Sequence, residues 1–257
     1  ETVRSIDVPL AAGVEPGEIV ALELAAQGPA GAVLSLIAPR VVAPARPRRS
    51  IETGRAKNVV VLLIDTLRAD KLRAFNPATR VESPTIGSLA AESTIFTRAR
   101  APENWTKPSV ATLLSSLVPA THNAKTEEAV LPSSVRLLPE ILREEGFATG
   151  AFIANGFVSG DFGFRQGWDA YKNYVRTGVP SRADLVFDDA LGWLRGLPSD
   201  RRFLLYVHTI EPHVPYTPPR RFLELYDAEP YRGIVVPNHT EKLLDDLKLG
   251  RAVLGAR

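Results

Sequence analysis

The sequence predicts an α/β protein: a wound, mostly parallel sheet with helices on both faces, preceded by a short β-rich segment. Two observations carry this. Strand-length apolar runs at Val59 to Ile64, Phe147 to Ala154 and Phe203 to His208 alternate with helix-length segments bounded by proline and glycine. The first run is unbroken Val, Leu and Ile, as expected for a strand buried on both faces of a parallel sheet. Alternating strand and helix is the order that winds into such a sheet.

Composition narrows the function classes. The chain has 257 residues, 45% hydrophobic and 23% charged, enough for a large buried core. No run approaches the ~20 apolar residues of a spanning helix, so any membrane anchor is expected upstream of residue 1. A net charge of +2 argues against nucleic acid as a partner. The absence of cysteine excludes disulfides, thiolate metal sites and a thiol nucleophile. With no methionine, residue 1 is not expected to be a translation start.

Residues 1–39 hold no aromatic side chain and alternate at Ile19 to Leu24 and Ala32 to Leu36. They read as three or four short strands of a larger β module. Residues 40–57 carry six basic residues against Glu52, with Pro44 and Pro47, and read as a solvated linker. Residues 58–257 form the α/β domain. Pro84 opens a helix to Ala91, followed by an extended Thr94 to Thr97. Pro108 opens a second helix to Leu117, because proline suits a first helical turn. A third starts near Pro139 and stops at Glu145 with Gly146 as its cap. Ala183 to Leu197 is amphipathic, and Thr240 to Ala256 is helix-like.

Ligands of open α/β sheets bind beyond the carboxyl ends of the strands. Those ends present Asp65, Asn155 and His208, with His213 in the following Glu211-Pro212-His213-Val214-Pro215-Tyr216 loop. Asp65 is either a turn former or a cation ligand. Asp70 answers Arg68. Thr106, just ahead of the Pro108 helix, is either its cap or a nucleophile, since helix N-termini favour anions. Lys107 beside it is either a substrate contact or solvated. A loop imidazole fenced by prolines suits His213 to protonating a leaving group. His208 reads as a satisfied core histidine or a group near substrate, and His122 as an ordinary charge at a helix end.

Four segments in this order resemble the sulfatase family of the alkaline phosphatase superfamily. Asn58 to Asp70 resembles its opening strand and metal-binding aspartate, and Ser83 to Phe96 its next helix and strand. Trp105-Thr106-Lys107-Pro108-Ser109 through His122 falls on its nucleophile signature, and Glu211 to Tyr216 on its Asp-Pro-His-x-Pro-Tyr segment. The resemblance implies a divalent cation (Ca, Mg, Mn or Zn) on Asp65 and Thr106, with Thr106 as nucleophile and His213 on the leaving group. Lys107, Asn155 and His208 would meet a small-molecule, glycan or lipid sulfate or phosphate ester, in the periplasm or outside the cell.

Three departures matter. Threonine cannot become the formylglycine of sulfatases, Val110 replaces the signature arginine, and Thr66 replaces a second aspartate. A threonine nucleophile is what phosphoethanolamine and phosphoglycerol transferases of the superfamily use. The family's remaining metal ligands are expected beyond residue 257. The readings are therefore an ester hydrolase, a phosphoryl-group transferase, or a non-catalytic binding relative.

Overall fold

The computed structural model describes residues 57–226 and 239–253, with Pro29 alone ahead of them. The chain divides into two units, Glu1–Glu52 and Thr53–Arg257, and the β-rich segment and most of the linker lie outside the described residues.

Four parallel strands, β1 (Val59–Ile64), β2 (Ala148–Ile153), β3 (Ala170–Asn173) and β4 (Phe203–Thr209), form one sheet in the order β1-β4-β2-β3. The last strand in sequence thus lies between the first two. Val59 pairs with Leu204 and Ile64 with Thr209, while Ala148 pairs with Phe203 and Ile153 with His208. The carboxyl ends of β1, β4 and β2 are therefore level with one another.

The period of two along each strand divides the core between the faces. On one, Ala151, Ile153, Leu204 and Tyr206 pack with Val110, Ala111 and Leu114 of α2 (Thr106–Ser115) and with Leu137, ahead of α4 (Leu138–Glu144). On the other, Phe152, Leu205 and Val207 meet Val186 and Ala190 of α6 (Ala183–Arg195). Each of the larger side chains among them contributes roughly 1.5–3 kcal/mol by leaving water. The expected helices on both faces are present.

The expectation that β1 is buried on both faces is corrected. Val59, Val61 and Leu63 pack on the α2 face, but Val60 and Leu62 are 60% and 49% exposed. Their partners Leu205 and Val207 face α6, which packs over β2 and β4 and does not cover the edge strand. The extended stretch expected at Thr94 to Thr97 joins no ladder among the described residues, and its side chains are exposed. Strand β3 escaped the sequence because Ala-Tyr-Lys-Asn has no apolar run.

Helix limits shift by a turn or less in most cases. The first of them, α1 (Pro84–Ala91), falls as expected. The next, α2, starts at Thr106, and Pro108 sits within its first turn, where no intrahelical N–H bond is lost. It closes at Ser116 in the left-handed region rather than at Leu117. The short α3 (Pro119–His122) and α5 (Tyr174–Thr177) and the later α7 (Arg220–Leu223) complete the set with α8 (Thr240–Lys248). The last ends well before Ala256, with Gly250 at φ +67°. No helix among the described residues is long and apolar enough to cross a membrane.

Gly150, in the middle of β2, lets α6 approach. A Cβ there would lie 2.9 Å from the Trp193 ring. Gly150→Ala is expected to destabilise the domain by about 1–3 kcal/mol through overpacking, read as a lower urea midpoint with an unchanged slope.

Candidate active site

Three level strand ends and one helix start build a single cluster. Asp65 follows β1, and its N–H continues the ladder onto Thr209 O at 3.0 Å. Asn155 lies two residues beyond β2, and His208 is the penultimate residue of β4. All three side chains meet on one oxygen. Asp65 Oδ2 accepts from Asn155 Nδ2 at 2.7 Å, from His208 Nε2 at 3.1 Å and from Thr106 Oγ1 at 3.2 Å. Asn155 Nδ2 also lies 3.4 Å from Thr106 Oγ1.

Thr106 is not the cap of α2. It is the first helical residue, Trp105 holds the cap position without a side-chain bond, and the hydroxyl turns to Asp65 instead. That places a half-buried hydroxyl at the positive end of a ten-residue helix, beside unpaired N–H groups.

Burial alone would raise the Asp65 carboxyl. The hydrogen bonds from His208, Asn155 and Thr106 outweigh it and hold the carboxyl below its ordinary 3.8. His208 is fixed from behind: its Nδ1 lies 3.0 Å from the Tyr206 hydroxyl. Tyr206 is fully buried and its phenol is pushed far above its ordinary value, chiefly by burial, so it stays a donor. The phenol donates to Nδ1, and Nε2–H then faces Asp65. Sequence reasoning missed Tyr206, although its signal was available: a residue two before His208 on a strand shares its face. Tyr206→Phe is expected to cost about 1–2 kcal/mol in stability by leaving buried His208 Nδ1 unpaired. The loss is measured by denaturant titration.

Asn155 is held twice over. Its Oδ1 accepts from Phe157 N at 2.8 Å while its Nδ2 donates to Asp65, and Asn173 Nδ2 reaches its backbone carbonyl at 2.9 Å. Both polar ends of the side chain are thus engaged within the protein. His208, at 0% exposure, is likewise committed to Tyr206 and Asp65. Asn155 was expected to meet substrate and His208 to be a satisfied core histidine or a group near substrate; in the structure both side chains hold the carboxylate.

Lys107 lies elsewhere. Its side chain is buried, with Nζ donating to Glu127 O at 2.6 Å and Ala129 O at 2.9 Å. Burial pushes its ammonium down, against the pull of Glu128 and Glu127. His122 is not an ordinary charge at a helix end either. It is buried, its Nδ1 accepts from Ala124 N at 3.1 Å, its Nε2 lies 3.1 Å from Thr112 Oγ1, and burial favours the neutral ring.

His213 sits on the loop after β4, half-buried, with Nδ1 donating to Val214 O at 2.6 Å. That leaves Nε2 as the nitrogen able to exchange a proton. The loop and the turn after Asp65 line an open pocket of about 390 Å³, with Thr66, Leu67, Arg68, Lys71, His213 and Tyr216 among its residues. Arg68 is paired with Asp70 there, as the sequence suggested. Thr66 has φ +56°, a region that costs a β-branched residue about 1–3 kcal/mol and clusters at functional sites.

Among the described residues, no three His, Asp or Glu side chains converge as a metal-binding group. Asp65 and Thr106 are hard oxygen donors of the kind divalent Ca, Mg or Mn takes. They fit such an ion in kind and would supply two of the six or so ligands it needs.

A sulfatase family model matches residues 57–233, which contain the whole cluster and the His213 loop. This chain belongs to the sulfatase family. No curated protein matches it. Among solved structures, this sulfatase-family chain is similar to BT4656 in complex with its substrate D-glucosamine-2-N,6-O-disulfate. The two share 15% identity at TM-score 0.59, over 68% of this chain and 38% of that one. The phosphonate monoester hydrolase of Agrobacterium radiobacter shares 17% identity at TM-score 0.56, over 68% and 45%. The C-terminal periplasmic domain of EcEptC from Escherichia coli, in complex with Zn, shares 13% at 0.51, over 74% and 54%. These likenesses establish the alkaline phosphatase-like fold. The chain spans between 38% and 54% of the length of these three structures.

Proposed function

We propose that this sulfatase-family chain carries the nucleophile half of a metal-dependent hydrolase of sulfate or phosphate esters. One observation carries the reading: the Thr106 hydroxyl, at the start of α2, donates to the depressed carboxylate of Asp65. The neighbours support both ester classes, since one has a sulfated sugar as its substrate and another is a phosphonate monoester hydrolase.

Thr106 Oγ1 forms a bond to sulfur or phosphorus as the ester oxygen leaves with its electron pair. The hydroxyl proton passes along its hydrogen bond to Asp65 Oδ2, and His213 Nε2 returns a proton to the departing oxygen. Water then forms the new bond to sulfur or phosphorus and gives a proton to His213, while Thr106 Oγ1 leaves with its electron pair and recovers its proton from Asp65. The N–H groups at the start of α2 face the anion throughout. Tyr206, His208 and Asn155 keep the carboxylate oriented. Asp65 and Thr106 would hold a divalent cation, which would neutralise developing charge and make the hydroxyl easier to ionise.

The test is turnover of 4-nitrophenyl sulfate, phosphate and phenylphosphonate by the intact protein with Ca, Mg, Mn and Zn in turn. Hydrolysis of at least one ester that stops on chelation is expected. No turnover with any metal refutes the hydrolase. A second reading, transfer of a phosphoryl group through Thr106, is favoured by the threonine itself, which no oxidation converts to an aldehyde hydrate. A persistent phospho-adduct on Thr106, seen by mass spectrometry and discharged only by an added alcohol, separates the two. The expected location in the periplasm or outside the cell remains part of this proposal.

A further inference from the structure

Lys107 is the only lysine or arginine among the buried described residues. Among the described residues no carboxylate pairs with it directly. Its ammonium is held by two carbonyl oxygens of one loop and stands 3.8 Å from the centroid of the Phe162 ring. Trp105 and Phe157 complete the aromatic wall, their centroids 5.7 and 5.8 Å away. The rings also support one another: Trp105 meets Phe157 edge-on at 5.5 Å, and Phe157 stacks with Phe162 at 6.0 Å. A buried charge is costly, so an apolar side chain of the same volume would fill this space more cheaply. What such a side chain lacks is three N–H donors and a cation for three rings.

The segments gathered around the ammonium are those that carry the Asp65 cluster. Trp105 and Lys107 flank Thr106 in the first turn of α2. Phe157 N–H holds Asn155 Oδ1, and the same amide places Nδ2 on Asp65. Phe162 O accepts from Leu131 N at 3.0 Å, which ties the third ring back to the loop that binds the ammonium.

We infer that Lys107 is a positioning residue for the nucleophile: its buried ammonium joins the first turn of α2, the 127–131 loop and the 155–162 loop into one unit. Thr106 Oγ1 and Asn155 Nδ2 thereby reach the same carboxylate oxygen. The inference rests on the reading of Thr106 as nucleophile, and Lys107 itself touches no substrate.

The experiment compares Lys107→Met, which keeps length and removes charge, with Lys107→Arg, which keeps charge and donors. Side-chain amide exchange of Asn155 is followed by NMR in the intact protein, with the Trp168 indole N–H, bonded to Phe164 O, as the internal reference. In Lys107→Met, Asn155 is expected to exchange at least about tenfold faster with Trp168 unchanged, and kcat to fall about 10²-fold with KM within about threefold. Lys107→Arg is expected to recover kcat to within about tenfold of the parent. If Lys107→Met does not fold, Phe162→Leu loosens the cage while keeping the charge, and the same pattern is expected at about fivefold in kcat. Folded variants with parental Asn155 exchange and kcat overturn the inference. So does faster exchange shared equally by Asn155 and Trp168, which marks general destabilisation. If the parent turns over no ester, the hydrolase reading fails, and the exchange measurement still decides the role of Lys107.

Discussion

Thr106→Val lowers kcat by at least about 10³-fold, the scale on which removing a nucleophile is felt, while the protein stays folded. Valine keeps the β-branch and volume and deletes one oxygen. The deletion removes one donor to Asp65 Oδ2, but Asn155 and His208 still hold that oxygen. The stability cost is therefore that of one neutral donor on a carboxylate, about 1–2 kcal/mol, measured by urea titration. Thr106→Ser keeps the hydroxyl and is expected to retain kcat within about tenfold. Turnover by Thr106→Val at the parental rate would remove Thr106 from the mechanism. A binding module would show the opposite profile, with ligand affinity retained by every Thr106 variant and no turnover in the parent.

Asp65→Asn is expected to cost about 2–4 kcal/mol at pH 7 and to abolish turnover, because charge-assisted hydrogen bonds from three donors meet on Oδ2. An amide oxygen accepts more weakly, and the new NH2 group brings two donors to a place already rich in them. The pH dependence has a definite sign. The folded-state carboxyl lies below its ordinary 3.8, so its contribution is complete above that value and is lost as pH falls through the folded-state value. The stability gap between parent and Asp65→Asn should be constant from neutrality to about pH 5 and narrow below about pH 4. Denaturant midpoints at pH 7, 5 and 3.5 measure it. An equal gap at pH 7 and 3.5 would mean that the hydrogen bonds do not favour the ionised form.

Much of the site was legible because strand ends and helix starts are local events. Asp65, Asn155 and His208 each follow or finish an apolar run, and Thr106 precedes a proline-opened helix. Their roles were less legible. Asn155 read as a substrate contact and His208 as a satisfied core histidine or a group near substrate, and both hold the carboxylate. Lys107 read as a substrate contact or a solvated charge, since a lysine beside an anion site is expected to face water. Its burial depends on three rings and two carbonyls drawn from separate loops. Tyr206 looked like one more apolar residue of β4, and its hydroxyl acquired meaning only from the histidine two residues on. The strain at Thr66 has no signature in composition, because a positive φ at a β-branched residue is imposed by the surroundings.

By itself, the sequence determined the fold class, the places of the longer helices and the order of the motif-bearing segments. These follow from periodicity and turn chemistry among near neighbours. Only the tertiary structure decided which residues meet. Strand β4 comes last of the four described strands and inserts between β1 and β2, so His208 falls between Asp65 and Asn155. Strand order is set by pairing across more than a hundred residues of chain, between β1 and β4. No local pattern specifies that pairing. The same pairing leaves Val60 and Leu62 outside the reach of α6, and so puts at the edge of the described sheet a strand whose composition is that of a centre.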